Sequence, residues 1–326
     1  MLKEINTFNN VIKYLSSDLK ILLSNIPENY KEQIEEIRIR NGKPLNIYLQ
    51  GQDYFLCKTG KVTKEPRNVY MINDKQLGHT FQLLTNHSLY AFSEEIRKGF
   101  ITISGGHRVG IGGEIIYGQD GIESIKNLSS LNIRIAREKK GISDSIIPYF
   151  FDDNKEFYNT MIISPPQCGK TTLLRDIIRN LSNGFGSQAG LKVSLVDERS
   201  EIAGMYQGIA QKDVGIRTDI LDGCLKSHGI MMLIRSMSPD IIAVDEIGGI
   251  DDIQAISEGL RAGIKFITTI HGDGLKDIKD RRNIHSLIKD RIFERFIILD
   301  RSKGVGTIKS IIDGQSFINI IKKDKH

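Results

Sequence analysis

The sequence predicts an α/β protein whose second half carries a largely parallel sheet, preceded by a smaller α+β domain. Three observations lead there. From about residue 146 onward, short apolar runs of strand character alternate strictly with helical stretches, the pattern of strands joined by crossover helices. One junction carries Gly169-Lys170-Thr171 between a strand and a helix. Before residue 146 the apolar runs are short, alternate with polar residues, and are separated by turn signals. The expected division is 1–145 for the α+β domain, serving interfaces and partner docking, and 146–326 for the α/β domain.

Phe8, Val11, Ile12, Leu15, Leu19, Leu22 and Leu23 recur at helical spacing, and Pro27 ends the pattern, so one amphipathic helix is expected over residues 8–23. "IRIR", "LNIYL", "YFLC", "FITIS" and "NIRIA" read as strands between the turn signals "NGKP", "GQD", "SGGH" and "GQDG". Helical character appears near "LGHTFQLLT" and "LYAFSEEIRK". The stretch "KKGISDSIIPYFFDDNKEF" reads as a junction, and the tail "KKDKH" as frayed. Net charge is only +5 over 326 residues, with 7% aromatic residues and no tryptophan. Such a chain does not advertise the basic, stacking channel of a single-strand nucleic-acid motor, so no nucleic-acid partner is expected. No run approaches the roughly 20 apolar residues of a membrane span, and the start "MLKEINTFNN" lacks a signal core, so a cytoplasmic location is expected. Cys57, Cys168 and Cys224 are scattered and read as reduced thiols.

"TMIIS" is a strand, and "TTLLRDIIRNL" is a helix with Leu173, Leu174, Ile177, Ile178 and Leu181 on one side. The loop between them comprises Ser164, Pro165, Pro166, Gln167, Cys168, Gly169, Lys170, Thr171 and Thr172. Backbone N–H groups and a helix N-terminus concentrate positive potential there, where phosphates bind. Gly169 permits close approach, Lys170 would reach the β and γ phosphates, and Thr171 would offer its hydroxyl to Mg²⁺. Ser164 stands where the motif opens with glycine, a conformational cost if that position requires positive φ. The segment "DIIAVDE" ends a second strand in Asp245, placed for the Mg²⁺ water shell, and Glu246, a candidate base for the attacking water. "KVSLVDERSEI" brings Asp197, Glu198 and Arg199 to the same sheet edge, and "GIKFITTIHGDG" brings Thr269 and His271, the latter a candidate sensor of the γ-phosphate. Arg217 and Arg235 are candidates to neutralise phosphate charge, locally or across a subunit boundary. Arg134 and Arg137, three apart, cannot share one face of a regular strand.

Taken together, "PPQCGKTTLLRD", "VDERSEIAG", "DVGIRTDILDGC", "GIMMLIRSMSPDIIAVDEIG" and "TTIHG" resemble the stage III sporulation AA family of endospore-forming bacteria. With "YAFSEEIRKGFITISGGHRVGIGGE" and "LNIRIARE" added, the resemblance is dense over about residues 85–275. It extends more distantly to hexameric ATPases of secretion and pilus systems. The resemblance implies a RecA-like P-loop ATPase domain behind a mobile N-terminal domain, binding ATP and Mg²⁺. It makes "VDERSE" an aspartate box, with Asp197 and Glu198 organising water and metal, and "TIHG" a histidine box centred on His271. It supports Arg235 and makes Arg134 and Arg137 candidates acting on a neighbouring subunit's nucleotide. The implied assembly is a homo-hexamer at the mother-cell membrane facing the forespore, held by an integral membrane protein of the sporulation channel. Two features depart from the secretion motors: Asp245 precedes Glu246 where many pilus motors carry glycine, and Ser164 replaces the leading glycine. The rival readings are a RecA-like motor on single-stranded nucleic acid and a nucleotide-gated scaffold with little turnover.

Overall fold

The computed structural model describes residues 2–118 and 121–321, so the tail "KKDKH" and the tip of "GQDG" lie outside the described residues. The chain forms two compact units, Met1–Arg137 with Tyr206–Gln211, and Glu138–Met205 with Lys212–His326.

In the first unit, α1 (Leu2–Ile12), α2 (Ser17–Ser24) and α3 (Glu28–Lys31) precede β1 (Ile34–Arg40), β2 (Asn46–Leu49), β3 (Gln52–Leu56) and β4 (Val62–Thr63). Then follow α4 (Asp74–Leu84), α5 (Ser93–Arg97), β5 (Phe100–Ile103), β6 (His107–Gly118) and β7 (Gly121–Arg134). The seven strands form one sheet in the order β4-β3-β2-β1-β7-β6-β5, antiparallel throughout. Leu19, Leu23, Ile37, Ile47, Val109 and Ile133 meet in its core.

The single helix expected over residues 8–23 is two helices, broken at Ser16. All seven apolar residues of the pattern are buried, because both helices face the same core. At the break Ser16 is extended, with ψ 151°, and its N–H donates to Thr80 Oγ1 at 3.1 Å, which takes that peptide out of the helical ladder. The strand β6 was not legible either. Gly110, Gly112 and Gly113 lie within it, and glycine weakens every strand signal.

In the second unit, β8 (Thr160–Ser164), α6 (Lys170–Asn183) and β9 (Val193–Asp197) lead to the short strands β10 (Met205–Tyr206) and β11 (Ile209–Ala210), whose tip belongs to the first unit. The chain continues through β12 (Thr218–Asp222), α7 (Lys226–Ser236), β13 (Ile241–Val244), α8 (Ile250–Arg261) and β14 (Lys265–His271). It closes with α9 (Leu275–Lys279), α10 (Arg282–Lys289), β15 (Arg295–Asp300) and β16 (Thr307–Asp313). The sheet order is β12-β9-β13-β14-β8-β15-β16, with the first six strands parallel and β16 antiparallel. This is the α/β unit with a largely parallel sheet that the sequence predicts. Its inner strands β9, β13, β14 and β8 are buried on both faces, so they read as apolar runs such as Ile241–Val244, while the edge strands β12 and β16 are partly exposed.

Residues 138–145 cluster with the second unit, so the structural division follows Arg137 and not residue 145. The tie is polar: the carboxylate of Asp176, on α6, accepts from Gly141 N at 3.0 Å and from Ser143 N and Oγ, both at 2.8 Å. Apolar periodicity carries no trace of such a bond.

Candidate functional site

Parallel strands deliver their C-terminal residues to one edge, where ligands of such sheets gather. Here that edge receives Ser164 from β8 and, paired with it in register, His271 from β14. Beside them β13 ends at Val244, immediately before Asp245 and Glu246.

Ser164 is fully buried, and its hydroxyl donates to the Pro165 carbonyl at 2.9 Å. Positive φ among the loop's non-glycine residues falls at Gln167, at 58°, and not at Ser164. The conformational cost expected at Ser164 is therefore absent, since that residue simply ends a strand. Pro165 is half-buried, Pro166 and Gln167 are exposed, and Cys168 is buried. Gly169 adopts φ 87° at the start of α6, a left-handed turn that glycine makes at low cost. Thr171 and Thr172 are half-buried in the first turn of α6, whose apolar stripe of Leu173, Leu174, Ile177, Ile178 and Leu181 is buried as expected.

Lys170 is 8% exposed, and its Nζ lies 3.3 Å from Nδ1 and 3.1 Å from Nε2 of His271. The same Nε2 stands 3.2 Å from Glu246 Oε1, and Glu246 Oε2 is 3.6 Å from an Arg199 guanidinium nitrogen. A line of four chemically active side chains thus runs along the edge. Glu246 holds φ 31°, an uncommon conformation for a residue with a side chain. Its N–H accounts for part of that, donating to Asp245 Oδ1 and to Thr269 Oγ1, both at 3.0 Å. The Thr269 hydroxyl in turn donates to Asp245 Oδ1 at 2.8 Å. Asp245 is fixed by one oxygen.

The segment after β9 is organised differently. Asp197 is buried, and its carboxylate accepts from the backbone N–H groups of Glu201, Ile202 and Ala203 at 2.9, 3.0 and 2.8 Å. Burial pushes this carboxyl up to about 6, against the opposing pull of those N–H groups. Arg175 and Lys212 grip the same turn, donating to the Glu201 carbonyl at 2.7 and 3.0 Å. Burial also lowers Lys212 to about 8. Asp197 therefore shapes the turn that presents its neighbours. Glu198 forms an ion pair with Lys226 at the head of α7.

Arg217 and Arg235 lie at the opposite edge of the sheet. Arg217 precedes β12 and donates to the Ser182 carbonyl at 3.0 Å, while Arg235 is exposed in the last turn of α7, ahead of β13. Neither is brought to the loop of residues 164–172 in its own chain. In the first unit, Arg134 ends β7 with its Nε 3.5 Å from Glu36, and Arg137 donates to the Ile34 carbonyl at 3.0 Å. Sequence reasoning assigned no role to Arg199, although "VDERSE" displays it, and did not find Lys226, which pairs with Glu198 from 28 residues away.

The sequence profile described as "Sporulation stage III, protein AA" matches residues 6–318. The chain belongs to this family. The stage III sporulation protein AA of Bacillus subtilis (strain 168) is 42% identical over 305 residues, covering 94% of this chain and 95% of that one. A protein called ycf45 from Cyanidium caldarium is 29% identical over 163 residues, 50% of this chain and 46% of its own length. Among solved structures, the ATPase DotB of Yersinia pseudotuberculosis superposes with a TM-score of 0.53 at 15% identity, covering 87% of this chain and 76% of that one. The pilus retraction motor PilT with bound ADP gives 0.51 at 11% identity, covering 81% and 74%. These likenesses establish a RecA-like fold with an N-terminal domain for this member of the stage III sporulation AA family.

Proposed function

We propose that the second unit hydrolyses ATP with Mg²⁺. In this reading, copies of the chain assemble as a hexamer that drives or builds a transmembrane channel between mother cell and forespore. The observation that carries it is the line Lys170–His271–Glu246 along one sheet edge, with Asp245 fixed beside it by Thr269.

The residues present fit nucleotide and metal. Thr171 and Asp245 would hold Mg²⁺, because Asp245 uses only Oδ1 for the hydrogen bonds described above. Among the described residues no group of three or more His, Cys, Asp or Glu could hold a metal alone, which suits an ion carried largely by phosphate oxygens. Bound Mg²⁺ supplies charge neutralisation at the phosphates. Lys170 exchanges the imidazole for phosphate oxygen, and His271 then reports on the phosphate from its place 3.2 Å from Glu246 Oε1. Glu246, with Oε2 restrained by Arg199, accepts the proton of the attacking water. Asp197 and Glu198 act one step back, on the turn and on Lys226. Arg134, Arg137, Arg217 and Arg235 are assigned to sites on neighbouring copies, because a hexamer offers each nucleotide a second set of positive charges. No helix among the described residues is long and apolar enough to cross a membrane, so the reading gives the membrane anchor to an integral partner protein.

Mg²⁺-dependent hydrolysis measured across protein concentration, with Glu246→Gln beside wild type and oligomer mass recorded, tests the proposal. Turnover that rises with assembly and disappears in the variant is expected. ATP binding and ring formation without turnover, even with membrane partner added, would replace the motor by a nucleotide-gated scaffold. Arg134→Ala or Arg137→Ala mixed with Glu246→Gln should recover activity only through mixed interfaces, and no recovery would remove the trans assignment.

A further inference from the structure

The connection between β15 and β16 touches three successive residues of the phosphate loop. A guanidinium nitrogen of Arg301 donates to the Gln167 carbonyl at 2.7 Å and lies 3.4 Å from the Gln167 Oε1. Five residues later, the Gly306 N–H donates to the Cys168 carbonyl at 3.0 Å. A Cβ on Gly169 would stand 3.1 Å from Val305 Cγ1 and 3.3 Å from Gly306 Cα, so the connection lies against the left-handed glycine itself. Val305 is 61% exposed, so apolar burial is not what seats this segment. It is pinned at both ends: Asp300 accepts from Ser302 N and Oγ at 3.1 and 2.9 Å, and Thr307 Oγ1 donates to the Gly304 carbonyl at 2.7 Å.

A phosphate loop binds by aiming consecutive N–H groups at the ligand. In a planar trans peptide the carbonyl points opposite to the N–H of the next residue. Holding the Gln167 and Cys168 carbonyls therefore fixes the directions of the Cys168 and Gly169 N–H groups. The Gln167 peptide needs the restraint most, because its φ of 58° is costly for a residue with a Cβ and the residue is exposed. A charge-assisted hydrogen bond is the stronger kind of restraint.

We infer that Arg301 is a positioning residue for the phosphate loop: with Gly306 it keeps two loop carbonyls turned away from the ligand and so sets affinity for the phosphates that ATP and ADP share. The inference rests on the nucleotide reading of residues 164–172. It concerns no contact with nucleotide, and it gives the β15–β16 connection a task that no sequence motif announces.

Calorimetric titration of the full chain with ADP and with a non-hydrolysable ATP analogue tests it, in wild type, Arg301→Ala and Arg301→Lys. Thermal unfolding of each nucleotide-free protein checks the fold. Arg301→Ala should raise both dissociation constants by the same factor, about tenfold. The KM for ATP should rise in step, with a much smaller change in kcat, and Arg301→Lys should recover most of the affinity because ammonium can donate to the same carbonyl. If the alanine protein unfolds, Arg301→Gln, which keeps a neutral donor, should show an intermediate loss that is again equal for the two nucleotides. Unchanged constants would overturn the inference. So would weakening of the ATP analogue alone, which would make Arg301 a γ-phosphate contact. A wild-type protein that binds neither nucleotide would instead remove the reading beneath it.

Discussion

The two edges of the parallel sheet in the second unit carry similar residue types with different surroundings. At the carboxyl edge Lys170, His271, Glu246 and Arg199 form one line of contacts, and Asp245 is held by Thr269. At the amino edge Arg217 bonds a backbone carbonyl, and Arg235 is exposed on a helix end. The lesson is directional. Proximity in sequence to an acidic strand does not place an arginine at that strand's carboxyl end, because a helix before a parallel strand finishes at the strand's beginning.

Substitutions can break this comparison. Lys170→Ala should have the largest effect, abolishing measurable ATP binding in direct titration, and retained affinity would deny the carboxyl edge its nucleotide. Glu246→Gln should lower turnover by about 10²–10⁴-fold while ATP binding persists, measured by phosphate release beside titration. Arg217→Ala and Arg235→Ala should leave ATP affinity within about twofold and reduce turnover only at protein concentrations where the chain assembles. A loss of affinity at low concentration would mean that the amino edge reaches its own nucleotide.

Asp197 sharpens the comparison by titration. Its folded-state carboxyl sits at about 6, above the ordinary 3.8, so between those values the folded protein binds more protons than the unfolded one. Stability contributed by this group is therefore full below about pH 4 and declines as pH rises to about 6, by up to about 3 kcal/mol at roughly 1.4 kcal/mol per pKa unit. Denaturant unfolding across that window should lose this downward slope in Asp197→Asn, although the variant is less stable throughout because an amide cannot accept all three N–H groups. The smallest effect belongs to Ser164→Gly. Restoring the customary glycine should change ATP affinity by less than about twofold, because this position ends a strand and needs no left-handed freedom.

What the sequence disclosed follows from how each feature is encoded. The parallel sheet was legible because its inner strands are apolar runs between helices with single buried stripes. The strand, loop and helix over residues 160–183 and the position of Asp245 and Glu246 just after β13 were legible because contiguous residues form them. The break at Ser16 was hidden because both helices bury their apolar residues in one core, which preserves the period across the gap. The amide grip of Asp197 was hidden because its carboxylate has the same letter whether it faces water or backbone. Arg301 lay furthest from view: its partner Gln167 is 134 residues away, and nothing in either segment's spacing pairs them.

The short excursion Tyr206–Gln211 makes the two units inseparable as gene fragments. Tyr206 packs against the core of the first unit, and its hydroxyl receives a hydrogen bond from Asn86 at 3.3 Å. Gln211 Oε1 accepts from the Gly105 N–H at 2.7 Å. A fragment ending at Arg137 would thus be expressed without the half-buried Tyr206 that packs against its core, and its partner fragment would display that side chain with nothing to cover it. Any dissection of this protein into domains has to begin by restoring that hairpin to the half that owns it.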